Sequence, residues 1–289
     1  MENNKIAVVG AGLMGSGIAQ VCAQAGYDVV NIDAFEAAIE KAKANIEYLF
    51  AKKVAKGSMT EEKKAEILSR LTYSRNFEDV KGAAIVVEAV PEKIEIKKDT
   101  FKKIDKVADS ETIIVSNTSG LSISEIASVT NRPEKVMGAH FFYPAPVMKL
   151  VELIRGLATS DKTYEIVKEF SAKIGKTTVD APEYPGFMVN RILVPMQNEA
   201  AFMVMEGSKP EDVDNAMKLG CNHPMGPIEL TDFVGIDIML ATMTGLYNGY
   251  HDSKYRPCPL LETMVKAGHL GRKTGQGFYK YDEKGNKIG

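Results

Sequence analysis

Short apolar runs rich in valine and isoleucine alternate with longer, charge-bearing stretches over the first two thirds of the chain. KIAVV, DVVNID, LTYS, AAIVVEAV, TIIVSN, KVMGAH, KLVELI and TTVD read as strands. Between them lie stretches of helical period: one from about Met14, a long Ala/Lys/Glu segment after Asp33, one from Pro91 and one near Tyr164. This alternation predicts βα units around a largely parallel sheet. AAIVVEAV is almost continuously apolar, as expected of a strand covered by helices on both faces.

The pattern changes at DAPEYPG, residues 180–186, where two prolines and a glycine punctuate the chain. Beyond it nearly everything reads helical. A long segment runs from Phe187 to Glu206 with Pro195 inside it, and shorter helices are separated by SKPED, NHPMGP and YRPCP. The expected organisation is therefore an α/β domain over 1–183 and an all-helical domain over 184–289.

A chain of 289 residues with 45% hydrophobic residues can bury a sizeable core, and its net charge of −2, with both signs interspersed, argues against a nucleic-acid scaffold or a membrane-attracted surface. No run of eighteen apolar residues occurs, and MENNKIAVVG enters a strand directly without a leader pattern, so the expected location is cytoplasmic. Cys22, Cys221 and Cys258 are odd in number and far apart, which predicts free buried thiols. Cys221 and His223 are too few for a zinc site, and no metal is expected. The 14 methionines are read as packing residues.

GAGLMGSG follows the first strand and opens a helix. Gly10 permits the tight turn, Gly12 lets the backbone approach a pyrophosphate, Gly15 allows close packing of the helix, and the helix N-terminus favours the phosphate charge. Gly10, Gly12, Leu13, Met14 and Gly15 are thus candidate cofactor residues on a Rossmann-type, doubly wound sheet. Asp33 ends the second strand, where an acid can bind both ribose hydroxyls, although capping the next helix is a competing role for it. Ala34, Phe35 and Glu36 follow, with no arginine among them to meet a 2′-phosphate, so the expected cofactor is NAD.

With hydride chemistry left to a nicotinamide, the protein must move a proton, and histidine is the best-matched group near neutral pH. His140 ends the strand KVMGAH. Glu152 stands among Leu150, Val151, Leu153 and Ile154, where an unpaired charge is costly, so it needs a partner and could hold one ring nitrogen of His140. A lone histidine at a strand end is otherwise more often structural.

GAGLMGSG, VVEAVPE, SNTSGLSI, GAHFFYPAPVMKLVEL, PGFMVNRIL and GRKTGQGFY, in this order and spacing, resemble the L-3-hydroxyacyl-CoA dehydrogenase family over essentially the full length. That resemblance implies oxidation of the 3-hydroxyl of an (S)-3-hydroxyacyl-CoA with NAD, on a short acyl chain by its likeness to the bacterial members, with His140 as acid/base and Glu152 as its partner. It further implies that Ser119 and Asn190 lie near the substrate oxygens, and that Asn117, Glu92 and Lys97 lie near the cofactor. Lys53 and Lys56 would face the phosphates of the acyl-CoA. Competing readings are a shortened-helix cap for Asn190, a turn-shaping role for Ser119, a first-turn acid for Glu92, and solvated faces for Lys97, Lys53 and Lys56.

One departure stands out: the family usually reads HFFNP, and Tyr143 occupies the asparagine position here. The resemblance also implies a homodimer formed through the second domain, while the charge balance and the lack of a long apolar run predict no nucleic-acid or membrane partner. The alternatives are a β-hydroxyacid dehydrogenase acting on a free acid, which would rely on a lysine base, and a catalytically silent, crystallin-like dinucleotide-binding protein.

Overall fold

The computed structural model describes residues 4–288, so residues 1–3 of MENNKIAVVG lie outside the described residues. The chain divides into two compact units, Met1–Glu183 and Tyr184–Gly289. The first unit contains β1 (Lys5–Val9), α1 (Leu13–Gln24), β2 (Asp28–Ile32), α2 (Glu36–Ala55), α3 (Glu61–Ser69), β3 (Leu71–Ser74), β4 (Ile85–Glu88), α4 (Ile94–Val107), β5 (Ile113–Ser116), α5 (Ile123–Ala127), β6 (Val136–Phe141), β7 (Leu150–Arg155), α6 (Asp161–Lys173) and β8 (Thr177–Ala181). Its strands form one sheet in the order β3-β2-β1-β4-β5-β6-β7-β8.

The first six strands are parallel, β7 runs antiparallel to β6, and β8 runs parallel to β7. Strand order reverses between β1 and β4, which opens a crevice at their C-terminal ends. Ile6 and Val8, Ile85 and Val87, and Val115 are all fully buried beneath helices on the sheet faces, which accounts for their nearly unbroken apolar sequences. Tyr27, Phe50 and Phe170 fill the large gaps between sheet and helices.

The second unit holds α7 (Val189–Met205), α8 (Pro210–Cys221), α9 (Pro227–Val234), α10 (Ile236–Tyr250), α11 (Pro259–Lys266) and a short antiparallel pair, β9 (Lys280–Tyr281) and β10 (Lys287–Ile288). The unit is helical apart from that pair, whose turn is tied by Asp282 accepting from the Lys284 and Asn286 amides. Val194 and Ala201 of α7 pack with Met239, Met243 and Leu246 of α10 and Leu261 of α11. The helix expected from Phe187 begins at Val189, because Gly186 and Phe187 adopt positive φ values of 75° and 49°. Pro195 lies within it.

Two other expectations are corrected here. Cys22 and Cys258 are buried, but Cys221 is exposed at the end of α8, where the chain turns left-handed at Asn222. The helix expected from Pro91 begins at Ile94, with Lys93 extended at its N-cap. The carboxylate of Glu92 is engaged elsewhere.

Candidate active site

The dinucleotide turn leaves no room for a side chain at Gly10 or Gly15. At Gly10, with φ of +108°, a Cβ would lie 2.5 Å from the Ala89 carbonyl oxygen, and at Gly15 one would lie 1.9 Å from the Gly10 oxygen. At Gly12 there is nothing within 4 Å, so the backbone there is open to an approaching group. No side chain caps the N-terminus of α1, which leaves its amides and dipole to an anion.

Asp33 Oδ2 accepts from the Ala11 amide at 2.7 Å, and Oδ1 accepts from the Phe35 amide at 3.0 Å. The carboxylate therefore joins the glycine turn to the entry of α2. An open cradle, an uncapped helix end and a carboxylate beside them fit a dinucleotide, with Leu13 and Phe35 exposed around it. Sequence reasoning overlooked Asn31, whose Nδ2 donates to the carbonyls of Val8 and Gly10 and fixes the turn from below. It also overlooked Arg75, 3.6 Å from Glu36 in an exposed ion pair just past β3.

Strand register makes the next contact. The antiparallel pairing of β6 with β7 sets His140 directly opposite Glu152, and His140 Nδ1 lies 2.7 Å from Glu152 Oε2. Glu152 is wholly buried and His140 nearly so. A carboxylate this close accepts a hydrogen bond from Nδ1–H, which leaves Nε2 as the ring nitrogen for proton exchange. Phe142 packs on the imidazole with ring centroids 4.5 Å apart.

The segment leaving β5 lies beside this pair. Asn117 Oδ1 accepts from the Phe141 amide at 2.9 Å, linking the end of β5 to the residue after His140. Ser119 donates from both its amide and its hydroxyl to Glu92 Oε1, at 2.8 and 3.1 Å, and Thr118 donates to the same oxygen at 2.6 Å. Lys97 lies 3.2 Å from the other Glu92 oxygen. These contacts draw Glu92 away from the helix, so it is not a first-turn acid of α4.

Lys97 is not on a solvated face either: its side chain is 1% exposed, and its ammonium lies 2.7 Å from Glu88 Oε1, within a side chain that is fully buried. Ser116 donates to the other Glu88 oxygen at 2.7 Å. Burial alone would push the Glu92 carboxyl up, but the Lys97 ammonium and the Thr118 and Ser119 donors outweigh it, and its pKa lies below the ordinary value. Glu88 was missed in the sequence. It carried the same sign as Glu152, a carboxylate inside an apolar run.

A cavity of about 440 Å³ opens between α1, the end of α2 and the turn after β6. Lys52, Lys53 and Lys56 rim it on one side, and Tyr143, Pro146 and Val147 wall the other. Its cationic rim and apolar wall suit a long amphipathic ligand bearing phosphates. Asn190 lies in the second unit, in the first turn of α7, where Met188 is the N-cap residue, so Asn190 is not the cap.

A doubly wound sheet with an open glycine turn, a carboxylate at the end of β2 and a buried imidazole–carboxylate pair across β6 and β7 defines an NAD-dependent oxidoreductase. The family model for the NAD binding domain of 3-hydroxyacyl-CoA dehydrogenase matches residues 5–184, and that for the C-terminal domain of the same enzymes matches residues 186–281. The chain belongs to the 3-hydroxyacyl-CoA dehydrogenase family. It is 50% identical to a probable 3-hydroxybutyryl-CoA dehydrogenase of Bacillus subtilis (strain 168), over 98% of this chain and 99% of that protein. It is 43% identical to human mitochondrial hydroxyacyl-coenzyme A dehydrogenase, over 96% of this chain and 90% of that protein. The crystal structure of (S)-3-hydroxybutyryl-CoA dehydrogenase PaaH1 from Ralstonia eutropha superposes with a TM-score of 0.93 at 47% identity, covering 97% of this chain and 99% of that one.

Proposed function

We propose that this protein interconverts (S)-3-hydroxybutyryl-CoA and acetoacetyl-CoA, with His140 as the acid/base. The 2.7 Å contact between His140 Nδ1 and Glu152 carries the reading, because it fixes the tautomer in which Nε2 can take the proton of a 3-hydroxyl. Bound NAD supplies the acceptor for the hydride released from C3. Glu152 stabilises the imidazolium that forms during oxidation, and the ring becomes neutral again when Nε2 releases that proton to solvent. The names of the relatives support a short acyl chain.

Gly10, Gly12, Leu13, Met14 and Gly15 hold the pyrophosphate side of the cofactor, and Asp33 binds the adenosine ribose. Asn117, Glu92 and Lys97 stand on the nicotinamide side. With substrate bound, the Ser119 hydroxyl exchanges its bond to Glu92 for one to an oxygen of the 3-oxo thioester, and the Asn190 amide donates to the substrate carbonyl region as charge develops there. Lys53 and Lys56 meet the phosphates of CoA at the rim of the cavity. We place the protein in the cytoplasm as a homodimer joined through its second unit.

NADH oxidation with acetoacetyl-CoA tests this, run beside NADPH, a free 3-keto acid and the His140→Gln variant. Rapid turnover is expected with NADH and the thioester, falling by about 10²–10⁴-fold in the variant while NADH still binds. A variant that turns over near the parent rate removes His140 as the base. A parent that prefers the free acid removes the CoA thioester.

A further inference from the structure

The turn that walls the lysine-rimmed cavity is short and is built around one carbonyl. Pro144 accepts from the amides of both Val147 and Met148, at 2.9 and 3.0 Å. That leaves the carbonyls of Ala145 and Met148 without a partner in the turn itself, as at the end of any single helical turn. Both are met by one side chain from far along the chain. Lys176, in the corner between α6 and β8, donates its ammonium to the Ala145 oxygen and, at 2.7 Å, to the Met148 oxygen.

Lys176 gives up water to do this. It is half-buried, and burial pushes its pKa down. The ammonium is thus compensated by two peptide dipoles of a single turn, an arrangement that holds only when the turn is in place. From the other side the turn meets α1: a Cβ on Gly17 would lie 3.2 Å from Ala145 Cβ and 3.3 Å from Pro146 Cδ. Ala145 is buried in the core of the sheet domain, whereas Tyr143 and Val147 are exposed toward the cavity. The turn is therefore clamped between a lysine and a glycine, neither of which reaches the cavity with a side-chain donor of its own.

We propose that Lys176 is a positioning residue for the acyl-CoA: by tethering the Ala145 and Met148 carbonyls it holds the wall formed by Tyr143, Pro146 and Val147 against the ligand, and so sets the affinity for the CoA thioester. The proposal rests on the reading of the cavity as the CoA site. Because Tyr143 immediately precedes this turn, the tether also keeps the departure from the usual family residue there in a defined position relative to the cavity.

Steady-state kinetics on Lys176→Met and Lys176→Arg test it, alongside NADH binding by fluorescence and thermal unfolding. Lys176→Met, which keeps the aliphatic stem and removes the donors, should raise the KM for acetoacetyl-CoA by about tenfold, the size expected from losing a net hydrogen bond or two to the turn. Turnover at saturation should change by less than about threefold, NADH affinity should stay within about twofold, and Lys176→Arg should recover most of the loss, because uniform binding energy is what is removed. Gly17→Ala, which pushes the turn from the opposite side, should also raise the KM, and it decides the matter if Lys176→Met fails to fold. A lowered melting temperature with an unchanged KM in both variants makes Lys176 a purely structural clamp and overturns the proposal. Equal losses in NADH and thioester binding overturn it as well. A parent enzyme that ignores CoA thioesters fails at the earlier step, and is recognised by the parent alone.

Discussion

Glu88 and Glu92 in the first unit, and Asp214 and Asp232 in the second, are pairs of carboxylates held among hydrogen-bond donors, yet they are compensated in different ways. Lys97 sits between the two glutamates, so the first cluster is neutralised by a charge. Among the described residues, the two aspartates are met by amide and hydroxyl dipoles. Asp214 accepts from the Ile228 and Glu229 amides and the Tyr279 hydroxyl, and Asp232 accepts from the Phe278 and Tyr279 amides and the Tyr281 hydroxyl. The consequences run in opposite directions: the Glu92 pKa is lowered, whereas burial raises that of Asp232 despite its three donors.

Position explains the contrast. The glutamate cluster lies at the C-terminal ends of β4 and β5, where the Glu92 side chain remains 42% exposed and organises Thr118 and Ser119. The aspartates are closed in, and fasten the segment that follows α11 onto α8 and α9. Gly277 is required there, since a Cβ would come within 2.1 Å of Asp232 Oδ1. An ion-paired carboxylate still partly open to solvent suits a site that must receive a ligand; a closed set of dipoles suits a permanent fastening.

Breaking the charge-compensated cluster should cost most. Lys97→Met leaves Glu88 buried and uncompensated, and denaturant unfolding should show a loss of about 3–5 kcal/mol, with much of it recovered in the Glu88→Met/Lys97→Met double variant. No recovery in the double variant would mean that packing, rather than charge, dominates there. Asp214→Ala strands two backbone amides and a tyrosine hydroxyl, and should cost about 2–3 kcal/mol by the same measurement. A cost below that of an ordinary surface substitution would show that the dipole fastening is dispensable.

The smallest effect sharpens the contrast through pH. Because the folded pKa of Glu92 is depressed, its contribution to stability is present above the ordinary glutamate value of 4.5 and is lost as pH falls through the folded pKa. Asp232 has a raised folded pKa, so its contribution is complete below the ordinary aspartate value of 3.8 and is lost as pH rises through the folded pKa. Melting temperatures of Glu92→Gln and Asp232→Asn, compared with the parent across acidic pH, should therefore diverge from it in opposite senses. Parallel profiles would contradict the assignment of opposite shifts.

Legibility in the sequence followed the distance over which each feature is specified. GAGLMGSG could be interpreted in place because turn, strand and helix are consecutive, and the steric reasons for its glycines reappear as clashes with Ala89 and Gly10. Glu92 misled because Pro91 beside an acid mimics a helix start, while the groups that claim its carboxylate, Thr118 and Ser119, lie more than a strand and a helix away. For Lys97 the sequence left a solvated face open beside a place near the cofactor, and only the packing of α4 against β4 buries it on Glu88. Lys176 carried no local signal at all.

The sequence by itself determined the succession of strands and helices, the division near residue 183 and the dinucleotide turn, because hydrophobic period, proline–glycine punctuation and backbone sterics act between neighbours. Tertiary structure alone decided that β7 would reverse and set Glu152 opposite His140, that Lys97 would bridge Glu88 and Glu92, and that Lys176 would close on the turn after Tyr143. These are pairings of buried polar groups across long stretches of chain, and each is chosen by which partner can satisfy a desolvated charge once the sheet has assembled.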